Sequence, residues 1–118
     1  MKRAALALLL GCGSSETWSQ RYEPPQDTSE VISAVSSFIE CDSVRRGGII
    51  SWRPQSFECK GIASDGCATL ESPPRVDVVY RGSAWGTSLA HELCHVCGYL
   101  DENEAQGCAY RAWKAAGH

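Results

Sequence analysis

Cysteine is the residue that most restricts how this chain can fold. Seven occur among 118 residues. Cys12 stands alone near the start, and Cys41, Cys59, Cys67, Cys94, Cys97 and Cys108 are spread over the remainder. Such density belongs to an oxidising compartment or to a metal site. Six cysteines in an exported chain suit three disulfides, each stabilising a domain of this size by roughly 2–4 kcal/mol.

The length suits one domain with a modest core, since domains usually run to about 100–150 residues. Hydrophobic residues make up 43% and charged residues 21%, an ordinary globular balance that excludes a disordered tail. The formal net charge is −3, and the sole basic pair of note is Arg45-Arg46, most simply a solvated turn. A protein that grips nucleic acid through its phosphates needs a basic stripe, so no nucleic-acid partner is expected. The apolar run 4–10 is too short to span about 30 Å of hydrocarbon.

That run follows Lys2 and Arg3, which is the layout of a secretory signal peptide over residues 1–11. It ends Leu9-Leu10-Gly11-Cys12, which resembles the lipobox of bacterial lipoproteins. The resemblance implies cleavage before Cys12 and lipid on Cys12, so that a membrane is a partner through that lipid. Losing Lys2 and Arg3 takes the net charge from −3 to −5, and the odd cysteine is accounted for. Gly13 and Ser14 lack the Asp that retains some lipoproteins in the inner membrane, which implies the periplasmic face of the outer membrane. Residues 12–26, with Ser14, Ser15, Ser19, Pro24 and Pro25, read as a lipidated tether. Trp18 and Tyr22 within it either dock on the fold or lie at the membrane interface. The domain proper is expected over residues 27–118.

Within that domain, Asp27 and Glu30 form a capping box. Val31, Ile32, Val35, Phe38 and Ile39 then give one apolar helix face to about Cys41. Gly47-Gly48 breaks the chain. Residues 49–53 are a candidate strand, 57–63 a weaker one, and Ser64-Asp65-Gly66 a turn. Residues 76–80 are the best strand, with Val76, Val78 and Val79. A second helix begins between Ser83 and Ser88, runs to Cys97 and stops at Gly98. A third starts near Asn103, and Ala105, Cys108, Ala109, Ala112 and Ala116 give it a small-residue face for close packing. Trp52, Trp85 and Trp113 read as core. The expected architecture is a small disulfide-stapled α+β domain with three helices and a two- or three-stranded sheet. Among the pairings that six cysteines allow, we expect Cys59 with Cys67, Cys97 with Cys108, and Cys41 with Cys94.

The chemistry lies in Ala90-His91-Glu92-Leu93-Cys94-His95-Val96-Cys97-Gly98-Tyr99-Leu100-Asp101. His91 and His95 stand one helical turn apart on the same face, about 6 Å between Cα atoms. Two imidazoles so placed can bind one Zn²⁺. Glu92 is rotated about 100° from His91, beside the metal, where a carboxylate can take a proton from an activated water as it attacks a carbonyl. Two of the chain's three histidines fall in this motif.

Through His91-Glu92-x-x-His95 the sequence resembles the zincin metallopeptidases. Gly98 and Asp101 extend the resemblance to the metzincin-like branch in its variant with an aspartate as third ligand. The resemblance implies a zincin-like fold and zinc-dependent hydrolysis of peptide or protein substrates. It makes His91, His95 and Asp101 the ligands of Zn²⁺ and Glu92 the catalytic base. It also implies an extended substrate along an edge strand, for which residues 76–80 are the candidate. The branch's downstream Met-turn is absent, since the sole methionine is Met1. Glu102, Glu104 and His118 are rival third ligands.

Two other functional classes remain open at this point. One is a non-enzymatic, disulfide-stapled envelope lipoprotein with a zincin-like shape. The other is a thiol–disulfide oxidoreductase using Cys94-x-x-Cys97, although that pair sits near a helix end, where the dipole does not activate a thiol. A structural zinc site on those thiolates is a variant of the same idea. Gly98 in place of His after Cys97 leaves covalent haem attachment unsupported. Tyr80, Tyr99 and Tyr110 are either half-buried packing residues or stabilisers of an oxyanion.

Overall fold

The computed structural model describes residues 18–21, 28–80 and 85–118. The expected signal segment, Cys12, Tyr22 and the expected cap Asp27 lie outside the described residues. In chain order the strands are β1 (Trp18–Arg21), β2 (Gly48–Arg53), β3 (Phe57–Cys59), β4 (Ile62–Ser64), β5 (Gly66–Thr69) and β6 (Arg75–Val79). The helices are α1 (Thr28–Ser33), α2 (Asp42–Arg46), α3 (Trp85–Cys97) and α4 (Glu102–Ala115), and Ala34–Phe38 continues α1 as a wider π-helical turn. No described helix is long and apolar enough to cross a membrane. The mixed helix and sheet composition is the expected fold class. The content is larger than expected: among the described residues there are four helices, a four-stranded sheet and a separate hairpin.

Strand order in the main sheet is β1-β2-β6-β5. The first three strands run parallel, and β5 closes the sheet antiparallel to β6. Register places Ile50 and Ala68 on either side of Val76, and Trp52 beside Val78. Alternation sends this row to one face, where it is buried together with Leu89 and Leu93 of α3. On β6 the intervening Asp77 is only 5% exposed, and Arg53 and Arg75 each pair with its Oδ1 at 3.1 Å. Residues 76–80 therefore do not supply an edge. β6 is hydrogen-bonded on both sides, and among the described residues the edge strands of this sheet are β1 and β5, of which β5 is the one that packs against α3.

Trp18 resolves differently from a tether. It is 3% exposed, its indole N–H donates to the Val44 carbonyl at 2.8 Å, and β1 pairs with β2. The folded unit thus takes in residues expected to be linker. The weak strand 57–63 is instead the β3–β4 hairpin, turning at Lys60 (φ 54°) and Gly61 (φ 84°).

The disulfides are Cys41–Cys97, Cys59–Cys67 and Cys94–Cys108. Cys59–Cys67 is the expected bond, and it pins the hairpin to β5. The other two exchange partners relative to expectation. The reason lies in helix geometry. Cys108 sits six residues into α4, about 9 Å from its start, and lies opposite Cys94 on the antiparallel α3. Cys97, at the last position of α3, meets Cys41 at the start of α2.

Ala105, Cys108, Ala109 and Ala112 are all fully buried, so α4 packs closely on α3 as its small-residue face requires. Trp52, Trp85 and Trp113 stack edge to face at 6.1 and 6.3 Å. Gly86 lies beneath the last of these rings, and a Cβ there would stand 2.0 Å from Trp113 Cζ3. Gly86→Ala should therefore destabilise the fold by about 1–3 kcal/mol through overpacking. Urea denaturation followed by tryptophan fluorescence checks this, and an unchanged midpoint would contradict it.

Candidate metal centre

α3 and α4 build the site together. His91 and His95 project from one face of α3, with ring centroids 4.8 Å apart. Gly98 ends the helix with φ 110°, a left-handed conformation open to glycine. Its N–H donates to the His95 carbonyl at 3.0 Å, and the Tyr99 N–H donates to the Cys94 carbonyl at 3.1 Å, which is a Schellman stop. That turn brings the Tyr99 carbonyl back to His95, whose Nδ1 donates to it at 2.8 Å.

The chain then enters α4. Asp101 is its N-cap, with backbone in the extended region and Oδ2 accepting from the Glu104 N–H at 3.1 Å. Glu102, the next residue, faces the histidines. Its Oε1 lies 2.8 Å from His91 Nε2 and its Oε2 lies 3.2 Å from His95 Nε2. One turn further along, Gln106 Oε1 lies 2.8 Å from His91 Nδ1.

His91, His95 and Glu102 are thus the three residues brought together, with donor atoms all within 4.8 Å of one another. Asp101, the expected third ligand, is spent on the helix cap. Glu104 supplies the backbone N–H for that cap, and His118 is stacked on Trp113 at the far end of α4. Among the rivals weighed from the sequence, Glu102 is the one that joins the cluster.

The donor set fits a divalent cation. The Tyr99 carbonyl can only accept, so His95 donates from Nδ1, and Gln106 with its Oε1 toward His91 accepts from Nδ1 there in the same way. Both Nε2 lone pairs then face a carboxylate. Three acceptors converging at these distances need a cation between them, either protons or a metal. Two imidazoles and one carboxylate are a zinc donor set that leaves a fourth position open. The second partner on each Nδ1 is the arrangement that orients metal-binding histidines. Without a metal, a proton on His91 Nε2 takes that place as a hydrogen bond to Glu102, and with the nearby His95 it holds the Glu102 carboxyl below its usual range.

Glu92 sits beside this cluster and is only 8% exposed. Burial pushes its carboxyl above the ordinary range, against the opposing pull of His91 and His95. The edge strand backs onto it: a Cβ on Gly66 would stand 2.6 Å from Glu92 Oε2, so the first residue of β5 must be small. A cavity of about 360 Å³ opens here, lined by Ser64, Asp65, Ser88, His91, Glu92 and Gln106.

Cys94 and Cys97 bond to Cys108 and Cys41 rather than to each other or to a metal. That pairing removes the dithiol on which the oxidoreductase and thiolate-zinc readings rest. Cys94–Cys108 instead ties α3, which carries His91 and His95, to α4, which carries Glu102.

No family model, curated protein or solved structure matches the chain. The site is therefore read from its own geometry.

Gln106 and Gly66 were not apparent as site residues from sequence. Gln106 stands four residues after Glu102, on the same helix face, a signal that counts only once Glu102 is known to face the histidines. Nothing local marks Gly66, because its close approach to Glu92 is a tertiary contact. If the cluster holds zinc, Gln106→Ala should weaken that binding by roughly 10–100-fold, the usual effect of losing an outer partner of a ligating histidine. Competition against a chelating dye measures it, and wild-type affinity in the variant would exclude the role.

Proposed function

We propose that this chain is a zinc-dependent peptidase, anchored by lipid on Cys12 in a bacterial envelope. The convergence of both Nε2 atoms with the Glu102 carboxylate, with Glu92 buried beside them, carries the reading. The free edge of β5 next to α3 supports an extended peptide as substrate, since such a peptide can add to the sheet through main-chain hydrogen bonds.

His91, His95 and Glu102 would hold the metal. When bound, zinc supplies the Lewis acidity that makes a water nucleophilic near neutral pH. Glu92 would accept a proton on a carboxylate oxygen from the attacking water and pass it to the leaving amine nitrogen. Gln106 and the Tyr99 carbonyl keep the two imidazoles oriented. The disulfide-stapled frame below holds the helices in register while the substrate binds.

If Cys12 is lipidated, five residues separate it from Trp18, the start of β1. Six Cα steps reach at most roughly 20–23 Å, so the domain works close to the membrane surface.

The deciding experiment is metal analysis of the purified protein together with hydrolysis of a peptide library. The expected result is stoichiometric zinc, with cleavage that a chelator abolishes and added zinc restores. Zinc-free protein without activity under zinc loading would overturn the reading in favour of a non-enzymatic stapled lipoprotein.

A further inference from the structure

A second cavity, of about 430 Å³, reaches the His91–His95–Glu102 cluster at His95. It shares His95 as a wall, as the first shares His91. The rest of its lining comes from the end of α3 with Gly98, from α2 with Gly47, and from the loop after β5, including Arg46, Leu70, Glu71 and Pro74. The outer edge of β5 runs from Gly66, against Glu92, toward Leu70, in this second cavity. A peptide extended along that edge would pass both cavities, and both reach the cluster.

The two cavities differ in charge. The Glu92 side is lined by Asp65 and by no lysine or arginine, with Lys60 outside the lining but near enough to act on the Glu92 carboxylate. The His95 side carries Arg46, whose guanidinium reaches only Ser43 Oγ, at 3.5 Å. Among the described residues it has no carboxylate partner. Its neighbour Arg45 is held by Asp42 and the Ser36 carbonyl, and Arg53 and Arg75 are held by Asp77. Glu71 shares the cavity but forms no ion pair with Arg46. Leu70, 55% exposed, adds an apolar wall beside this cation.

We propose that the His95-side cavity is a specificity pocket for a substrate carboxylate, with Arg46 as its recognising residue. This rests on the peptidase reading of the same site. An unpaired guanidinium offers a planar fork of N–H donors matched to a carboxylate, and the Leu70 wall accommodates the methylene stem of a glutamate. The carboxylate belongs either to an acidic side chain within the peptide or to a peptide C-terminus. Glu71 lowers the local positive potential and so moderates the preference.

The test uses the full-length zinc-loaded protein and quenched fluorogenic peptides. Glu, Gln or Lys is scanned through the residues flanking the cleaved bond, each peptide with a free or an amidated C-terminus. The expected result is a preference of roughly 10-fold in kcat/KM for Glu over Gln at one position on one side of the bond, expressed in KM, the scale of one charge-assisted hydrogen bond. A preference that follows the free C-terminus instead assigns the pocket to that carboxylate. Arg46→Ala should collapse the ratio toward one, Arg46→Glu should turn it toward Lys, and Glu71→Gln should enlarge it. Wild-type zinc content in each variant serves as the check on folding. Cleavage indifferent to charge, or a preference that survives Arg46→Ala, overturns the pocket while leaving the peptidase reading standing. If the wild type cleaves nothing, the peptidase reading fails and the pocket is judged on binding by fluorescence anisotropy. Tighter binding of the Glu peptide that is lost in Arg46→Ala upholds it, and equal binding overturns it.

Discussion

Glu92→Gln should lose on the order of 10²–10⁴-fold in peptide hydrolysis while retaining stoichiometric zinc, because the amide keeps the shape of the carboxylate but cannot accept a proton. The expectation of retained metal comes from the structure. Glu92 is not among the three residues whose donor atoms converge, and its buried carboxylate lies against Gly66 of the edge strand. Gln is nearly isosteric there, so it should neither open a cavity nor press on β5. Removing a charge that burial disfavours should also leave the fold at least as stable. The separation of activity from metal content distinguishes a catalytic site from a merely structural zinc. A Glu92→Gln protein with wild-type turnover on a peptide library would refute the mechanism.

Glu102→Ala and Asp101→Ala should part company although the two residues are adjacent. Glu102 supplies both oxygens that face His91 Nε2 and His95 Nε2, so Glu102→Ala removes one of the three proposed ligands. Its loss of zinc affinity should exceed the roughly 10–100-fold expected for an outer partner such as Gln106. Because Glu102 is 79% exposed, the same change should hardly alter fold stability in the absence of metal. Asp101→Ala should do the reverse. It deletes the N-cap bond to the Glu104 N–H and should cost about 0.5–2 kcal/mol of stability, with a smaller effect on zinc through the looser start of α4. Isothermal titration with zinc and urea denaturation of both variants give the comparison. If Asp101→Ala loses the metal and Glu102→Ala keeps it, the third ligand is Asp101 and α4 must begin differently when the metal binds.

One residue of helix register is what separates these outcomes. The sequence places the start of the third helix near Asn103, which leaves Asp101 in a turn and free to fold back. In the structure the helix begins at Glu102, and Asp101 takes the cap. Capping chemistry explains the difference: Asp101 stands three residues before Glu104, the spacing at which an aspartate satisfies an otherwise unpaired N–H. Two acidic residues in succession thus divide the work, and composition does not say which takes which part.

The pair His91 and His95, with Glu92 beside them, was legible because all three lie on one helix, whose 3.6-residue turn is a local property. The same holds for the Gly98 stop, the small-residue face of α4 and the Cys59–Cys67 staple, all of which depend on residues close in the chain. The third metal-facing residue, the Gln106 support, the exchanged partners of Cys94 and Cys97, and the place of β5 at the sheet edge each depend on where a distant segment comes to rest. Trp18–Arg21 illustrates the reason. Its four residues carry no strand signal strong enough to stand out in a polar stretch. Burial of the Trp18 ring and pairing with β2 hold it as a strand all the same. Sequence by itself determined the chemistry on α3, because helical spacing is set by local backbone geometry. Only the tertiary structure decided what meets that chemistry from α4, β5 and α2, because those meetings follow from packing and sheet order across tens of residues.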